Sequence, residues 1–225
     1  MLPGSPCQGH TEHQGNDLKP VIGIVDYGMG NLRSVEKGLE KVGISAEVCS
    51  IPERFISYDG LVLPGVGAFG DAMENLRNLG MLSPLYEYID SGRCLLGICL
   101  GMQLLLSYSD EHGRFEGLDL IQGRVVRLPD NVKVPHMGWN VLDIKKEVSL
   151  LQGIESNMRF YFVHSFYCDS VDDESLIATT PYGIDFMSIL RKENVWGVQF
   201  HPEKSGMLGL RILENFGNMV AGRAA

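Results

Sequence analysis

The chain has 225 residues, a net charge of −9 and a hydrophobic fraction of 44%, enough apolar residues for the core of one large domain. The acidic residues are spread along the chain, which argues against a surface for nucleic acid or anionic lipid. No apolar run approaches the ~20 residues of a membrane span and no signal sequence is evident, so we expect a cytoplasmic protein.

The predicted elements begin after a segment expected to be disordered. Residues 1–19 are rich in Gly, Pro, Gln and His and lack a hydrophobic period, so the domain is expected to span 20–225. The apolar run Val21–Val25 predicts a buried strand, and Asn31 is placed to cap a helix that Gly43 ends. Strands at 46–49, 60–63 and 94–99 follow, with helices at 71–79, 84–91 and 102–106.

After Ser107 the pattern changes to short β-like runs. They are predicted at 121–128, 141–144, 160–163, 176–180, 186–190 and 195–200, and a helix at 208–220 closes the domain. The early alternation of strands and helices predicts an α/β fold of three layers: an open, mostly parallel, flavodoxin-like sheet flanked by helices. The later runs are expected to add antiparallel strands in the C-terminal half. Ligands of such folds bind at the carboxyl ends of the parallel strands.

Cys99 is the first candidate functional residue. The five cysteines are scattered without a CxxC pair, which disfavours a disulfide framework or a zinc site and leaves a reactive thiol open. Cys99 lies between Gly97 and Gly101, after an apolar strand and before a helix-prone segment, the context of a nucleophile elbow with cysteine in place of serine. Side chains at 97 and 101 are expected to clash in so sharp a turn. The helix start favours a thiolate and offers the Leu100 N–H to an oxyanion.

The pentapeptide alone fits a second interpretation equally well, a buried structural cysteine between two packing glycines. The case for chemistry therefore needs a partner for the thiol.

His201 and Glu203 are the candidate partners. They follow the predicted strand 195–200, so we expect them at the same carboxyl edge of the sheet as Cys99. Alternate residues of an extended segment point the same way, and Pro202 fixes φ, so Glu203 can orient His201 as a general base. Taken alone, His201 is more typical of an ordinary surface histidine beside a loop proline, and the cysteine elbow is what favours the catalytic interpretation. A metal site is the other alternative, but no third ligand is evident, and we expect no metal and no cofactor.

Residues 65–70 match the G-x-G-x-x-G pattern of dinucleotide-binding loops. The context does not fit, because the acidic residue expected about 20 positions on should end a strand, whereas Glu87 and Asp90 lie in a predicted helix. A glycine-rich turn at the sheet edge can equally donate N–H groups to an oxyanion, which makes Val66 and Gly67 candidates beside Leu100.

With these residues assembled, the chain resembles the class I, or triad, glutamine amidotransferases. Three motifs occur in that family's order: PGVG at 64–67, GICLGMQ at 97–103 and HPE at 201–203. The resemblance spans nearly everything after residue 20. It implies that Cys99 attacks the side-chain amide of L-glutamine, that ammonia leaves with a proton from His201, and that water hydrolyses the thioester.

Three further stretches, 26–31, 135–140 and 161–166, look like one branch of that family, whose glutaminase subunit forms a heterodimer with a (βα)8-barrel cyclase. The resemblance implies that certain positions hold the glutamine: Gly67, Gln103, His164, Ser165 and Phe166. It implies that others face the barrel: Met29, Asn31, Met137, Trp139 and Lys204. The barrel carries the acceptor substrate in that branch, so no phosphate site is expected here.

Other functions remain as alternatives. The chain can be the glutaminase of a different synthase, such as pyridoxal phosphate synthase, or a γ-glutamyl hydrolase that acts alone. A cysteine peptidase on the same sheet would lack a glutamate two residues after the histidine, so Glu203 argues against it. A catalytically inactive subunit is disfavoured by the presence of Cys99, His201 and Glu203 together.

Overall fold

The first half of the chain alternates strands and helices, as predicted. The computed structural model describes residues 20–170 and 173–222, so the expectation about residues 1–19 lies outside the described part. The elements are β1 (Val21–Val25), α1 (Leu32–Lys41), β2 (Ser45–Cys49), β3 (Gly60–Gly65), α2 (Phe69–Asn78), α3 (Leu82–Asp90), β4 (Cys94–Cys99) and α4 (Leu100–Leu104). A short 3-10 helix, Pro52–Ser57, precedes β3.

The second half is mainly β-structure. Its elements are β5 (Leu106–Ser109), β6 (Phe115–Glu116), β7 (Ile121–Arg127), β8 (His136–Val141), β9 (Asp143–Ile144), β10 (Arg159–His164), β11 (Phe166–Ser170), β12 (Leu176–Pro181), β13 (Asp185–Lys192), β14 (Val195–Val198) and α5 (Gly206–Val220). Two 3-10 helices, Ser149–Leu151 and Pro202–Lys204, lie before β10 and after β14.

The main sheet has a parallel part and an antiparallel part. Its strand order is β2-β1-β3-β4-β14-β13-β11-β7-β5-β6, with β12 and β9 attached to β13. The first five strands are mutually parallel, whereas β14 pairs antiparallel with β13, which begins the extension. β8 and β10 form a separate antiparallel pair. The predicted fold class, with its added antiparallel strands, is confirmed.

Two apolar layers cover the parallel strands. One face packs against α2 and α3 through residues such as Phe69, Leu76 and Leu85. The other packs against α1 and α5 through residues such as Leu39 and Phe216. Burial on both faces explains why β1 and β4 read as continuous apolar runs. Within the described residues, no helix is long and apolar enough to span a bilayer.

Several predicted boundaries are wrong, for local reasons. The helix expected at 102–106 ends at Leu104, because Leu106 begins β5 and pairs with Ile121 of β7. Asn31 precedes α1 with φ −93° and ψ 65° and makes no capping hydrogen bond through its side chain. The run expected at 141–144 is the end of β8 followed by β9. β5, β6, β11 and all of β8 except Val141 were not predicted.

Candidate active site

Cys99 lies at a strained turn between β4 and α4. Its φ is 54° and its ψ is −107°, a conformation rarely adopted by residues other than glycine. The flanking glycines are required by close backbone contacts, as expected. A Cβ at Gly101 would lie 1.8 Å from the carbonyl oxygen of Leu63, and one at Gly97 would lie 2.6 Å from the carbonyl oxygen of Gly101. This turn is the geometry of a nucleophile elbow.

The sheet brings His201 and Glu203 to the same edge. β14 is the parallel neighbour of β4, with Gly197 opposite Gly97, so both chains leave the sheet side by side. Nδ1 of His201 lies 2.9 Å from Oε1 of Glu203, and the two side chains are only 2% and 1% exposed. Because the carboxylate accepts the Nδ1 proton, Nε2 is the free base in the neutral imidazole.

Two weak hydrogen bonds to other groups hold the Cys99 sulfur. The thiol is 3.9 Å from the carbonyl oxygen of Val163, and Nε2 of Gln199 donates to the sulfur at 3.6 Å. Nε2 of His201 has no hydrogen-bond partner among the described residues. Burial alone lowers the pKa of His201, but Cys99 and Glu203 oppose it and raise the pKa to about 10. The site therefore favours the imidazolium form of His201.

A cavity of about 440 Å³ opens in front of the sulfur. Its lining contains Cys99 and the residues proposed above for the oxyanion and for glutamine: Val66, Gly67, Leu100, Gln103, His164, Ser165 and Phe166. Four further lining residues were not predicted: Glu111, His112, Pro135 and Val163. The elbow, the glycine-rich turn and the chain after β10 thus surround one small polar space.

A chain of hydrogen bonds fixes one wall of this cavity. Burial lowers the pKa of His136 to about 4 and that of His164 to about 3, so both imidazoles are neutral. His164 Nδ1 faces the carbonyl oxygen of Phe166 at 2.8 Å and must carry the proton. Its Nε2 therefore accepts from Nδ1 of His136 at 3.0 Å, and Nε2 of His136 accepts from Asn140 at 3.3 Å. With both ring nitrogens occupied, His164 positions the wall and has no free ring nitrogen for a ligand.

The same wall is connected to the sulfur through two buried amides. Nε2 of Gln103 donates to the carbonyl oxygen of Phe166 at 2.9 Å and to Oε1 of Gln199 at 3.1 Å. This leaves Nε2 of Gln199 to donate to Cys99. Gln199, which is fully buried, was not predicted as a site residue, although it lies two residues before His201 and alternation along an extended segment points to it.

The start of α2 is closed to phosphate. The backbone N–H of Phe69, at the first turn of α2, donates to Oε2 of Glu111 at 2.7 Å. A carboxylate therefore occupies the position that a pyrophosphate takes in a dinucleotide-binding loop, and two anions there would repel. This agrees with the rejection of the G-x-G-x-x-G pattern. Within the described residues, no group of three or more His, Cys, Asp or Glu side chains is arranged to hold a metal.

The residues proposed to face a partner are mostly exposed. Met137 and Trp139 of β8 are 63% and 52% exposed, and they pair with Val163 and Tyr161 of β10. Asn31 and Lys204 are exposed, whereas Met29 is half-buried. Met29 reaches the glycine-rich turn at 65–67, called the oxyanion turn below, because a Cβ at Gly67 would lie 2.6 Å from the Met29 Cε. Met207 at the start of α5 is also highly exposed, at 77%, and was not among the residues predicted to face a partner.

Comparison with known proteins gives the class of this site. The family model for glutamine amidotransferase class-I matches residues 23–219. The chain belongs to this family. A solved glutamine amidotransferase shares the fold, with a TM-score of 0.71 at 20% identity over 89% of this chain and 98% of its own.

Curated relatives give the branch. The chain is 52% identical over 200 residues to imidazole glycerol phosphate synthase subunit HisH of Desulfitobacterium hafniense, covering 89% of this chain and 95% of the relative. It is 54% identical over 202 residues to the subunit of the same name from Archaeoglobus fulgidus, covering 89% and 99%. The family resemblance read from the motifs is confirmed, as is the branch indicated by the three further stretches.

Proposed function

We propose that this chain is the glutaminase subunit of an imidazole glycerol phosphate synthase and acts in the cytoplasm in histidine biosynthesis. In this proposal it hydrolyses L-glutamine to glutamate and ammonia, and the ammonia passes to a (βα)8-barrel cyclase subunit. The observation that supports it best is that Cys99, in the lining of the cavity, and the buried His201–Glu203 pair follow neighbouring parallel strands to the same edge of the sheet.

The side chains can perform both halves of the reaction. The Cys99 thiolate attacks the side-chain carbonyl carbon of glutamine, and the tetrahedral oxyanion accepts from the Leu100 N–H and from an N–H of the Val66–Gly67 turn. His201 gives its proton to the departing nitrogen, which leaves as ammonia, and the thioester remains. His201, now neutral, takes a proton from water as the water attacks the thioester, so that glutamate leaves and the thiolate–imidazolium pair returns.

The cavity has a group suited to the amino-acid end of glutamine. Among the described residues that line it, Glu111 is the only carboxylate, and its Oε2 is fixed by the Phe69 N–H. We expect its charge to attract the α-ammonium group of the substrate. Ser165 and Phe166, held through Gln103 and His164, form the facing wall.

Partner docking can influence the oxyanion turn through Met29. Ammonia is largely protonated in neutral water and is then no nucleophile, so its transfer requires a sealed interface. Trp139, whose ring lies 6.0 Å from that of Tyr161, belongs to the exposed rim of that interface in this proposal. Met29 contacts Gly67, so a docked partner that displaces the Met29 side chain also changes the conformation of the turn that presents the oxyanion donor. Glutamine hydrolysis should therefore rise strongly when the barrel and its ligand are added.

The decisive experiment uses Cys99→Ala in the complex with the barrel. Glutamine-dependent synthesis should be abolished, whereas synthesis from added ammonium salt should match that of the unmodified complex. Loss of both activities would mean a folding defect or a wrong assignment. If the isolated chain already hydrolyses glutamine at its full rate, or if only a different synthase barrel activates it, the proposed partner is wrong.

A further inference from the structure

Tyr27 carries a buried hydroxyl that has no role in the mechanism above. The side chain lies just after β1 and is fully buried in the apolar layer on the α2 side of the sheet. Among the described residues, its hydroxyl has no hydrogen-bond partner. An unpaired buried hydroxyl is unfavourable, so an acceptor is expected in some working state of the protein.

The hydroxyl lies directly against the oxyanion turn. A Cβ placed on Gly65 would be 2.4 Å from the Tyr27 oxygen, 2.9 Å from Cβ of Leu100 and 3.2 Å from the backbone nitrogen of Gly101. Gly65 is in turn the register partner of Cys99 at the end of β3. The hydroxyl therefore lies between the peptide that precedes Val66 and the elbow that carries the nucleophile.

The hydroxyl keeps its proton at working pH and can donate a hydrogen bond. Burial raises the pKa of Tyr27, and the neighbouring Cys99 raises it further, so the phenol keeps its proton. The hydroxyl lies against Cα of Gly65, and the carbonyl carbon of Gly65 is one bond, about 1.5 Å, from that Cα. A rotation of the Gly65–Val66 peptide therefore changes whether the Gly65 carbonyl oxygen points towards the hydroxyl.

We propose that Tyr27 is a positioning residue for the oxyanion turn, and that its hydroxyl donates to the Gly65 carbonyl when the Gly65–Val66 peptide turns its N–H towards the thioester oxygen. The inference rests on the proposed glutaminase function. With the turn as described the donor has no partner among the described residues, and in this proposal it becomes paired only in the conformation that stabilises the transition state. An interaction made only there raises kcat.

Tyr27→Phe tests this in the complex with the barrel, because it removes the hydroxyl and keeps the ring. Tyr88→Phe is the matched control. The Tyr88 hydroxyl is also buried and unpaired among the described residues, but its ring lies by Arg93, at the opposite end of β4 from Cys99. We expect Tyr27→Phe to lower kcat for glutamine hydrolysis about tenfold with KM unchanged, and Tyr88→Phe to retain the kcat of the unmodified complex.

Alkylation by iodoacetamide separates the turn from the thiol, because alkylation forms no oxyanion. The Cys99 alkylation rate should be the same in Tyr27→Phe and in the unmodified protein. A Tyr27→Phe complex with full kcat would overturn the inference. An equal fall in the Cys99 alkylation rate would also overturn it, because the hydroxyl would then act on the sulfur. A melting temperature lowered in Tyr27→Phe but not in Tyr88→Phe would overturn it as well, because the hydroxyl would then already be hydrogen-bonded in the absence of substrate. Glutamine turnover by Cys99→Ala would instead refute the proposed function, whatever Tyr27 does.

Discussion

Replacing Glu203 by glutamine should disable the base while leaving the cavity intact. The carboxylate oxygen Oε1 lies 2.9 Å from Nδ1 of His201, and the other oxygen, Oε2, is buried without a partner among the described residues. A glutamine can turn its oxygen or its NH2 towards Nδ1. The first orientation buries an unpaired NH2, and the second forces the histidine proton onto Nε2, where the base is needed. Both orientations remove the negative charge.

The direction of the effect follows from the pKa of His201. Burial lowers this pKa, but the Cys99 and Glu203 groups raise it to a net value of about 10. Because losing a hydrogen bond to a charged group costs about 1.5–3 kcal/mol, Glu203→Gln should lower kcat about ten- to a hundredfold.

Steady-state kinetics of the complex give the test. KM for glutamine should change little, because Glu203 does not line the cavity. Synthesis from ammonium salt should be unaffected. A Glu203→Gln complex with kcat within about threefold of the unmodified complex would refute the role given to this carboxylate.

Two further predictions concern stability. Gly101→Ala should prevent folding or lower the free energy of unfolding by more than about 3 kcal/mol, because the new Cβ would lie 1.8 Å from the Leu63 carbonyl oxygen; urea unfolding of normal midpoint would contradict this. His136→Phe should lower stability at pH 7.5 by about 1–3 kcal/mol and raise KM for glutamine, because it removes the donor to Nε2 of His164 and one of the two acceptors of the Asn140 NH2. The buried neutral His136 has a lowered pKa, so the stability it contributes is present above about pH 6.5 and is lost as pH falls through about 4. The urea midpoint of the variant should therefore fall less steeply over that range than that of the unmodified protein, and an unchanged slope would contradict the assignment.

The parallel part of the fold was predictable because burial on both faces leaves a strong pattern. β1 and β4 were placed with their observed bounds, since both are short continuous apolar runs. The C-terminal helix followed from its 3.6-residue period. The short strands β5 and β6 carry no such pattern, because they owe their pairing to distant residues of β7 and to each other.

The site shows the same division between local and distant information. Cys99, His201 and Glu203 belong to short motifs at strand ends, so the sheet topology was enough to place them at one edge. Glu111 comes from the chain after β5 and meets the Phe69 N–H 42 residues away, a contact that spacing does not reveal. The His136–His164 pair likewise depends on the antiparallel register of β8 and β10, which opposes these two residues.

Labelling with an electrophilic glutamine analogue measures the central claim most directly. The account predicts that the complex acquires one covalent adduct, that peptide mass spectrometry places it on Cys99, and that glutamine protects against it. Adduct formation on Cys49, Cys94 or Cys168 in place of Cys99, or labelling of Cys99 that glutamine does not slow, would contradict the account.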